Sequence, residues 1–161
     1  MSWDWKAHAD AVNAAHGELA ARGQPGHAEA AARFHSAIEA AWPPGFFEQL
    51  ERCKQGDPSG LDAVLDFLEA CPYFFRSGYI QGKALAYALR PSRTPAQDER
   101  LRAIVHGAVT GRLWLPFRRI PTIARAVDAP GMRAELQRLL EHPKLRVRAN
   151  AARVLEHLQS A

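Results

Sequence analysis

The stretch LQRLLEHPKLRVRANAARVLEHL, residues 136–158, is the part of the sequence that decides the fold. Leucines at positions 136, 139 and 140 follow the i, i+3, i+4 spacing that places side chains on one face of a helix. Pro143 ends that helix, because a proline biases the residue before it away from helical backbone angles. A second helical period follows at once, with its apolar stripe at Val147, Ala151, Ala152, Leu155 and Leu158. The stretch therefore predicts two short amphipathic helices joined by a proline turn.

The order of these features resembles a HEAT repeat, which has a leucine-rich first helix, a proline turn, a Val-Arg pair, and then Ala-Ala with spaced leucines. The resemblance implies an all-α protein, built as a short right-handed α–α superhelix of HEAT-like helical hairpins. In such a protein each hairpin buries its stripe against the next one. Arg148 matches the arginine that in HEAT repeats ties one repeat to the next, so the resemblance implies a structural role for it.

Helix signals also dominate the rest of the chain, and proline and glycine turns separate them. We expect a single all-helical domain over 1–161, with N-terminal helices in 1–56 and three HEAT-like helix pairs in 57–161. The N-terminal helices are predicted at about 3–22, 27–42 and 46–55, and the pairs at about 57–90, 94–127 and 130–158. Because the pairs recur every 30 to 37 residues, roughly, which is shorter than the usual HEAT period, the repeats would be degenerate.

Local signals refine the second pair. Thr94, Pro95 and Gln97 match a capping box, with an N-cap threonine, a proline at the first helical position and a glutamine at the third. Pro121 lies inside the next helical segment, so it should kink that helix or delay its start. The apolar stripes predicted to be buried are Leu61, Val64, Leu65 and Leu68; Leu101, Ile104, Val105 and Ala108; and Ile120, Ile123, Ala124 and Val127.

Composition indicates an ordinary globular protein in a reducing compartment. The 161 residues are enough for one domain with a sizeable core, and 47% hydrophobic against 24% charged residues is a typical balance. No apolar run approaches the ~18 residues of a membrane span. The two cysteines, Cys53 and Cys71, do not make a disulfide framework. We therefore expect a cytoplasmic protein that makes no membrane contact.

Charge is distributed unevenly between the two halves of the chain. Residues 1–80 hold 6 Lys/Arg and 11 Asp/Glu, a formal charge of −5, whereas residues 81–161 hold 15 and 6, a formal charge of +9. Such asymmetry points to a polyanionic partner or to an acidic protein surface. The alternative is that these arginines only cover the solvent-facing surfaces of helices. An arginine-rich composition is typical of a GC-rich bacterial genome, so arginine would be the common polar residue there.

The sequence lacks the common catalytic motifs. It has no glycine-rich phosphate loop, nucleophile elbow, paired CxxC or HExxH. Cys71 has no base beside it in sequence and precedes a proline at a helix end, which favours a buried thiol over a nucleophile. We therefore expect a protein that is not an enzyme and needs no cofactor.

The histidines of the N-terminal hairpin raise the question of a metal site. His8 and His16 are eight residues apart, as are His27 and His35, so an antiparallel hairpin would place one of each pair level with one of the other. Acidic residues follow the same helices, namely Asp4, Asp10, Glu18 and Glu29. Metal ligands on a helix normally lie three or four residues apart, however, which favours solvated histidines. We expect no metal.

The aromatic segment CPYFFRSGYI, residues 71–80, is a candidate binding edge. Tyr73, Phe74, Phe75 and Tyr79 surround Arg76 at a turn between two helices, and Tyr, Phe and Arg are enriched in interface cores. The alternative is that these aromatic side chains close the gap between successive helix pairs.

The C-terminal half carries a set of arginines interleaved with aromatic residues: Arg112, Arg118, Arg119, Arg125, Arg146, Arg148 and Arg153, with Trp114 and Phe117. On the inner helices of a superhelix they would line a basic groove able to follow a phosphate backbone. HEAT-like bacterial DNA glycosylases add a tryptophan, an aspartate and an arginine to such a groove. That resemblance would nominate Trp114, Asp128 and Arg125 for the chemistry.

These observations favour a non-enzymatic, protein-binding HEAT-like module. By analogy of fold, it would be a bacterial adaptor or a toxin-neutralising immunity protein, with a partner that presents an acidic surface. The residues predicted to bind the partner are Tyr73, Arg76, Tyr79, Arg112, Trp114, Arg118 and Arg119. The alternative is a nucleic-acid-binding protein with a basic concave groove, and less favoured again is a HEAT-like DNA glycosylase.

Overall fold

The computed structural model describes residues 3–19 and 22–160, and this part of the chain contains helices and no strand. The helices are α1 (Trp5–Gly17), α2 (His27–Ala40), α3 (Phe46–Gln55), α4 (Leu61–Ala70), α5 (Ser77–Tyr87), α6 (Pro95–Thr110), α7 (Ile120–Ala126), α8 (Pro130–Leu139) and α9 (Leu145–Gln159). Short 3-10 helices precede α4 at Pro58–Gly60 and α7 at Phe117–Arg119. The all-α class predicted from the sequence is confirmed. Among these helices none is both long and apolar enough to cross a membrane.

Helix boundaries follow from local chemistry. The capping box before α6 is formed as predicted, because the Gln97 N–H donates to Thr94 Oγ1 at 3.2 Å and the Thr94 N–H donates to Gln97 Oε1 at 3.0 Å. Pro121 lies in the first turn of α7, where its missing N–H costs no helical hydrogen bond. It therefore delays the start of α7 and does not kink it. Gly111, with φ +78°, ends α6 in the left-handed conformation.

Consecutive helices over residues 57–160 are in contact. Helix α4 packs against α5, α6 against α7, and α8 against α9, and α4 also packs against α3. The predicted ranges 57–90, 94–127 and 130–158 contain these helices, except that α9 extends to Gln159. Neighbouring pairs are joined by contacts of α4 with α6 and of α9 with both α6 and α7. The HEAT-like character of the pairs and the handedness of their superhelix stay predictions.

Apolar side chains form two clusters. The larger one runs through α3 to α9 and takes in Trp5 of α1, and all three predicted stripes, those of α4, α6 and α7, are buried in it. The smaller cluster joins α1 and α2 to the segment before α5, through Ala9, Val12, Phe34, Ala41 and Phe74. Helices α1 and α2 therefore pack on each other around a small core of their own.

The stripe predicted for α8 is only partly correct. Leu136 is buried, Leu139 is half-buried, and Leu140 is 40% exposed. Helix α8 packs chiefly against α9, so its covered face is narrower than the leucine spacing suggests. In α9 the predicted stripe is buried except for the half-buried Ala152, and the fully buried Val154, which the pattern did not single out, joins it.

Arg148 does have a structural role, although within its own helix pair. Its Nη1 donates to the carbonyl oxygens of His142 and Pro143, at 2.8 and 3.1 Å. The guanidinium therefore fastens α9 to the proline turn that precedes it, whereas the HEAT resemblance implied a tie to the next repeat.

Candidate partner-binding surface

The loop after α6 presents a tryptophan to solvent. Leu113 folds back on the end of α6, where its N–H donates to the Gly107 carbonyl at 2.9 Å. A Cβ on residue 107 would come within 2.7 Å of the Leu113 side chain, so any other residue here would displace that side chain. Leu115 is buried, and Trp114 between the two leucines is 71% exposed. The half-buried Leu113 and the buried Leu115 thus flank an outward-facing Trp114.

Two arginines of α9 lie over aromatic rings of this loop. The Arg146 guanidinium is 5.3 Å from the centre of the Trp114 ring, and that of Arg153 is 5.9 Å from the Phe117 ring. Both distances are within the ~6 Å reach of a cation–π contact. Asn150, which lies between them on the same side of α9, donates to the Val109 carbonyl at 3.2 Å and fixes α9 against the end of α6. We call this surface the arginine–aromatic face: Trp114, Phe117, Arg118, Arg119, Arg146 and Arg153.

The arginines of this face make no ion pair with any residue that the structure describes. The sequence explains why, since it has no Asp or Glu in 100–127 or in 142–155. Arg100 is the contrast, because it faces the acidic side of α4 and contacts Asp62, Asp66 and Glu69 at 3.2, 2.5 and 2.8 Å. The arginine–aromatic face therefore carries positive charge that the described part of the chain does not neutralise.

The other predicted arginines lie elsewhere. Arg112 lines an open groove between α6 and α8, together with Glu99 and Glu135, and is separate from the arginine–aromatic face. Arg125 donates to the carbonyl of His157.

The residues nominated by the glycosylase resemblance have structural partners. Arg133 donates from Nε and Nη2 to the two oxygens of the Asp128 carboxylate, at 2.9 and 2.5 Å. These bonds hold the pKa of Asp128 below its usual range. Arg125 donates to a carbonyl oxygen. Asp128 and Arg125, the two charged residues that the resemblance nominated, therefore both have partners within the chain.

The aromatic turn before α5 divides into buried and exposed residues. Phe74 is 4% exposed and packs in the small α1–α2 cluster. Tyr73 is 79% exposed, Tyr79 is 65% exposed, and Phe75 is also exposed. Hydrogen bonds hold the turn: Ser77 Oγ accepts from the Phe74 N–H at 3.0 Å.

Two neighbouring side chains fix the same turn from outside it. Asn13 of α1 donates to the Tyr73 carbonyl at 2.8 Å, and the buried Gln81 donates to the Pro72 carbonyl at 3.0 Å. The exposed aromatic side chains are therefore carried by a backbone that is anchored at several points.

Arg76 has a backbone conformation unusual for its type. Its φ is +67°, the left-handed region that glycine prefers. Its guanidinium lies 5.2 Å from the centre of the Phe75 ring. Helix α5 begins directly after this residue.

A groove of about 600 Å³ lies beside the aromatic turn. We call it the aromatic groove, and its walls come from the end of α2, the start of α3 and the start of α5: Ile38, Trp42, Phe47, Phe75, Arg76, Tyr79 and Ile80. The sequence segment 71–80 contains Phe75, Arg76, Tyr79 and Ile80, but not Ile38, Trp42 and Phe47, because residues that distant in sequence are brought together only by packing.

Helix α5 links the two surfaces. It carries Tyr79 and Ile80 of the aromatic groove, and the Cβ position of its Gly82 lies 3.9 Å from the side chain of Pro116, which precedes Phe117. Helix α5 also packs against the 3-10 helix that carries Arg118 and Arg119.

Neither cysteine is set up as a nucleophile. Burial raises the pKa of the Cys71 thiol, and a backbone hydrogen bond from Trp114 opposes that rise. Burial raises the pKa of Cys53 to about 11. Both thiols are therefore protonated near neutral pH, whereas nucleophilic catalysis needs the thiolate.

The N-terminal histidines contact aromatic rings. His8 stacks on Trp3 with ring centres 4.3 Å apart, and His16 lies 5.3 Å from Phe34. In the part of the chain that the structure describes, no group of three or more His, Cys, Asp or Glu side chains is placed to hold a metal ion.

Comparison with known proteins found no matching family model, no matching curated protein and no matching solved structure.

Proposed function

We propose that this protein is a non-catalytic binding module that holds an acidic protein surface against its arginine–aromatic face. The observation that carries the proposal is the set of exposed arginines at this face, which have no carboxylate partner among the described residues, together with the exposed Trp114, over whose ring Arg146 lies. An adaptor or a toxin-neutralising immunity protein would use such a surface to find its partner quickly and selectively.

The energetics of such a surface favour binding. An unpaired, solvated arginine contributes little to the stability of its own chain. Its charge is therefore available to a carboxylate of a partner. Stacked on an aromatic ring, a guanidinium keeps its position and loses less side-chain entropy when a second bond forms. Tryptophan and arginine are also the residue types that most often dominate binding free energy at protein interfaces.

The aromatic groove favours a protein partner over duplex nucleic acid. Backbone binding of a duplex depends on phosphate neutralisation, and it does not need large exposed apolar walls. Phe47, Phe75 and Tyr79 are exposed at the groove. A protein partner could cover both surfaces, with an acidic part on the arginines and an apolar part in the groove.

The first prediction concerns the arginines. The Arg118→Ala, Arg119→Ala double variant should bind the partner captured from the native host at least about tenfold more weakly, measured by calorimetry with that purified partner. The matched control is Arg33→Ala, Arg138→Ala. It removes the same charge, but from exposed arginines that already pair with Glu18 at 3.3 Å and with Glu135 at 3.9 Å. Equal loss in both double variants would mean that only net charge matters and would contradict a specific face.

The same variants separate the nucleic-acid alternative. Fluorescence anisotropy with random duplex and single-stranded DNA at low salt should show no binding at micromolar protein. Micromolar binding that weakens steeply with salt and is reduced by the Arg118→Ala, Arg119→Ala variant would instead assign the face to a phosphate backbone.

A further inference from the structure

We propose that the aromatic groove holds apolar side chains from an acidic, amphipathic segment of a partner protein. This inference rests on the proposed function only in taking the partner to be a protein. It concerns a different surface from the arginine–aromatic face, and it commits to one occupant, a short helical segment with leucine-like side chains on one face and carboxylates beside them.

The shape of the groove fits side chains and not a whole domain. Its volume of about 600 Å³ is in the range of pockets that enclose small ligands. Trp42 and Phe47 form one side, with ring centres 5.0 Å apart, and Tyr79 and Ile80 line the side that α5 contributes. The groove also lies where the small α1–α2 cluster meets the larger core, since Ile38 and Trp42 pack on the former and Ile80 on the latter.

The charge around the groove selects an acidic occupant. Arg76 is the charged residue among the groove walls, and no described carboxylate pairs with it. Lys83, one turn along α5, lies 4.6 Å from the centre of the Tyr79 ring and also has no ion pair among the described residues. A hydrogen bond from Lys54 at 2.8 Å holds the pKa of the Glu51 carboxyl below its usual range, and the charge of Lys83 adds to this lowering. The groove therefore has an unpaired cation, Arg76, in its wall and a second, Lys83, beside the wall residue Tyr79.

The backbone of Arg76 adds a second, independent observation. A left-handed conformation costs free energy at any residue with a side chain, and glycine would adopt it without that cost. Strained residues of this kind cluster at binding sites, where the side chain has a use. Here the use is visible, because the conformation carries the guanidinium over Phe75 at the edge of the groove.

Synthetic peptides test the occupant. The probe is a fluorescein-labelled helical peptide of about 14 residues with leucines at i, i+3, i+4 and i+7 and glutamates elsewhere. One matched peptide replaces the leucines with glutamine, and another replaces the glutamates with lysine. The acidic leucine peptide should bind with a micromolar Kd, and both matched peptides should bind at least about tenfold more weakly. Methyl signals of Ile38 and Ile80 in NMR spectra should shift on binding.

Variants locate the site. Tyr79→Ala should weaken peptide binding about tenfold, and Tyr73→Ala is the matched control, because Tyr73 is equally an exposed tyrosine but does not line the groove. Arg76→Gly should weaken binding several-fold without lowering the melting temperature. The Arg118→Ala, Arg119→Ala variant should bind the peptide as well as the unchanged protein does.

The inference is overturned if the acidic leucine peptide does not bind at about 1 mM, if the glutamine peptide binds equally well, or if Tyr73→Ala is as harmful as Tyr79→Ala. Loss of peptide binding in the Arg118→Ala, Arg119→Ala variant would move the site to the arginine–aromatic face. Because that double variant is also tested against the native partner, failure of the groove and failure of the proposed function give different results.

Discussion

At the scale of single residues, the backbone conformation of Arg76 allows the cost of strain to be compared with the value of a side-chain contact. Arg76 has φ +67°. The left-handed conformation costs a non-glycine residue roughly 1–2 kcal/mol, and glycine loses about 0.5–1 kcal/mol through its freer unfolded chain. Arg76→Gly should therefore leave the free energy of unfolding unchanged or raise it by about 1 kcal/mol, measured by urea denaturation.

The matched control is Arg33→Gly, an exposed arginine in the middle of α2. Glycine in a helix interior should lower the free energy of unfolding by about 1 kcal/mol. If Arg76→Gly is destabilising by the same amount, the guanidinium stabilises the fold and strain does not dominate at this position.

At the scale of helices, the last pair offers a test of how α8 and α9 pack. Leu155 is buried, whereas Leu140 at the end of α8 is 40% exposed. Leu155→Ala should cost on the order of 2–5 kcal/mol, because it removes core contacts and leaves a cavity. Leu140→Ala should cost under about 1 kcal/mol, since little of its surface is withdrawn from water. Denaturation of both variants checks this, and equal losses would show that Leu140 is packed as tightly as Leu155.

Helix limits were predictable because their causes are local. The capping box at Thr94, the glycine after α3 and the proline turn at Pro143 each act within a few residues, and the structure places helix ends at all three. The covered face of a helix is not local in this sense. The spacing of Leu136, Leu139 and Leu140 describes which side chains share a face, but the neighbouring helix decides how much of that face is covered.

At the scale of the whole molecule, the charge asymmetry was predictable and the pairing of individual charges was not. Sequence shows that the C-terminal half is basic, yet Arg100 finds its three carboxylates on α4, 31 to 38 residues away. Likewise, the aromatic turn could be identified as a candidate site, but its groove requires α2, α3 and α5 to meet. The structure thus distinguishes arginines already bound within the chain from those that face solvent alone.

Because Trp114 is exposed, the charge of the arginine–aromatic face can be measured by fluorescence. Trp5 is buried and Trp3 and Trp42 are half-buried, so collisional quenchers reach mainly the indole of Trp114, which lies under Arg146. Positive potential there concentrates iodide and repels caesium, within a Debye length of about 10 Å at 0.1 M salt.

Iodide should therefore quench the fluorescence much more efficiently than caesium, and added sodium chloride should reduce the difference between the two quenching constants. The Arg118→Ala, Arg119→Ala variant should also reduce the difference between iodide and caesium quenching. Equal quenching by both ions in the unchanged protein would show that no such potential exists. The fluorescence of Trp114 therefore reports the electrostatic potential of the arginine–aromatic face in the protein alone, without a partner.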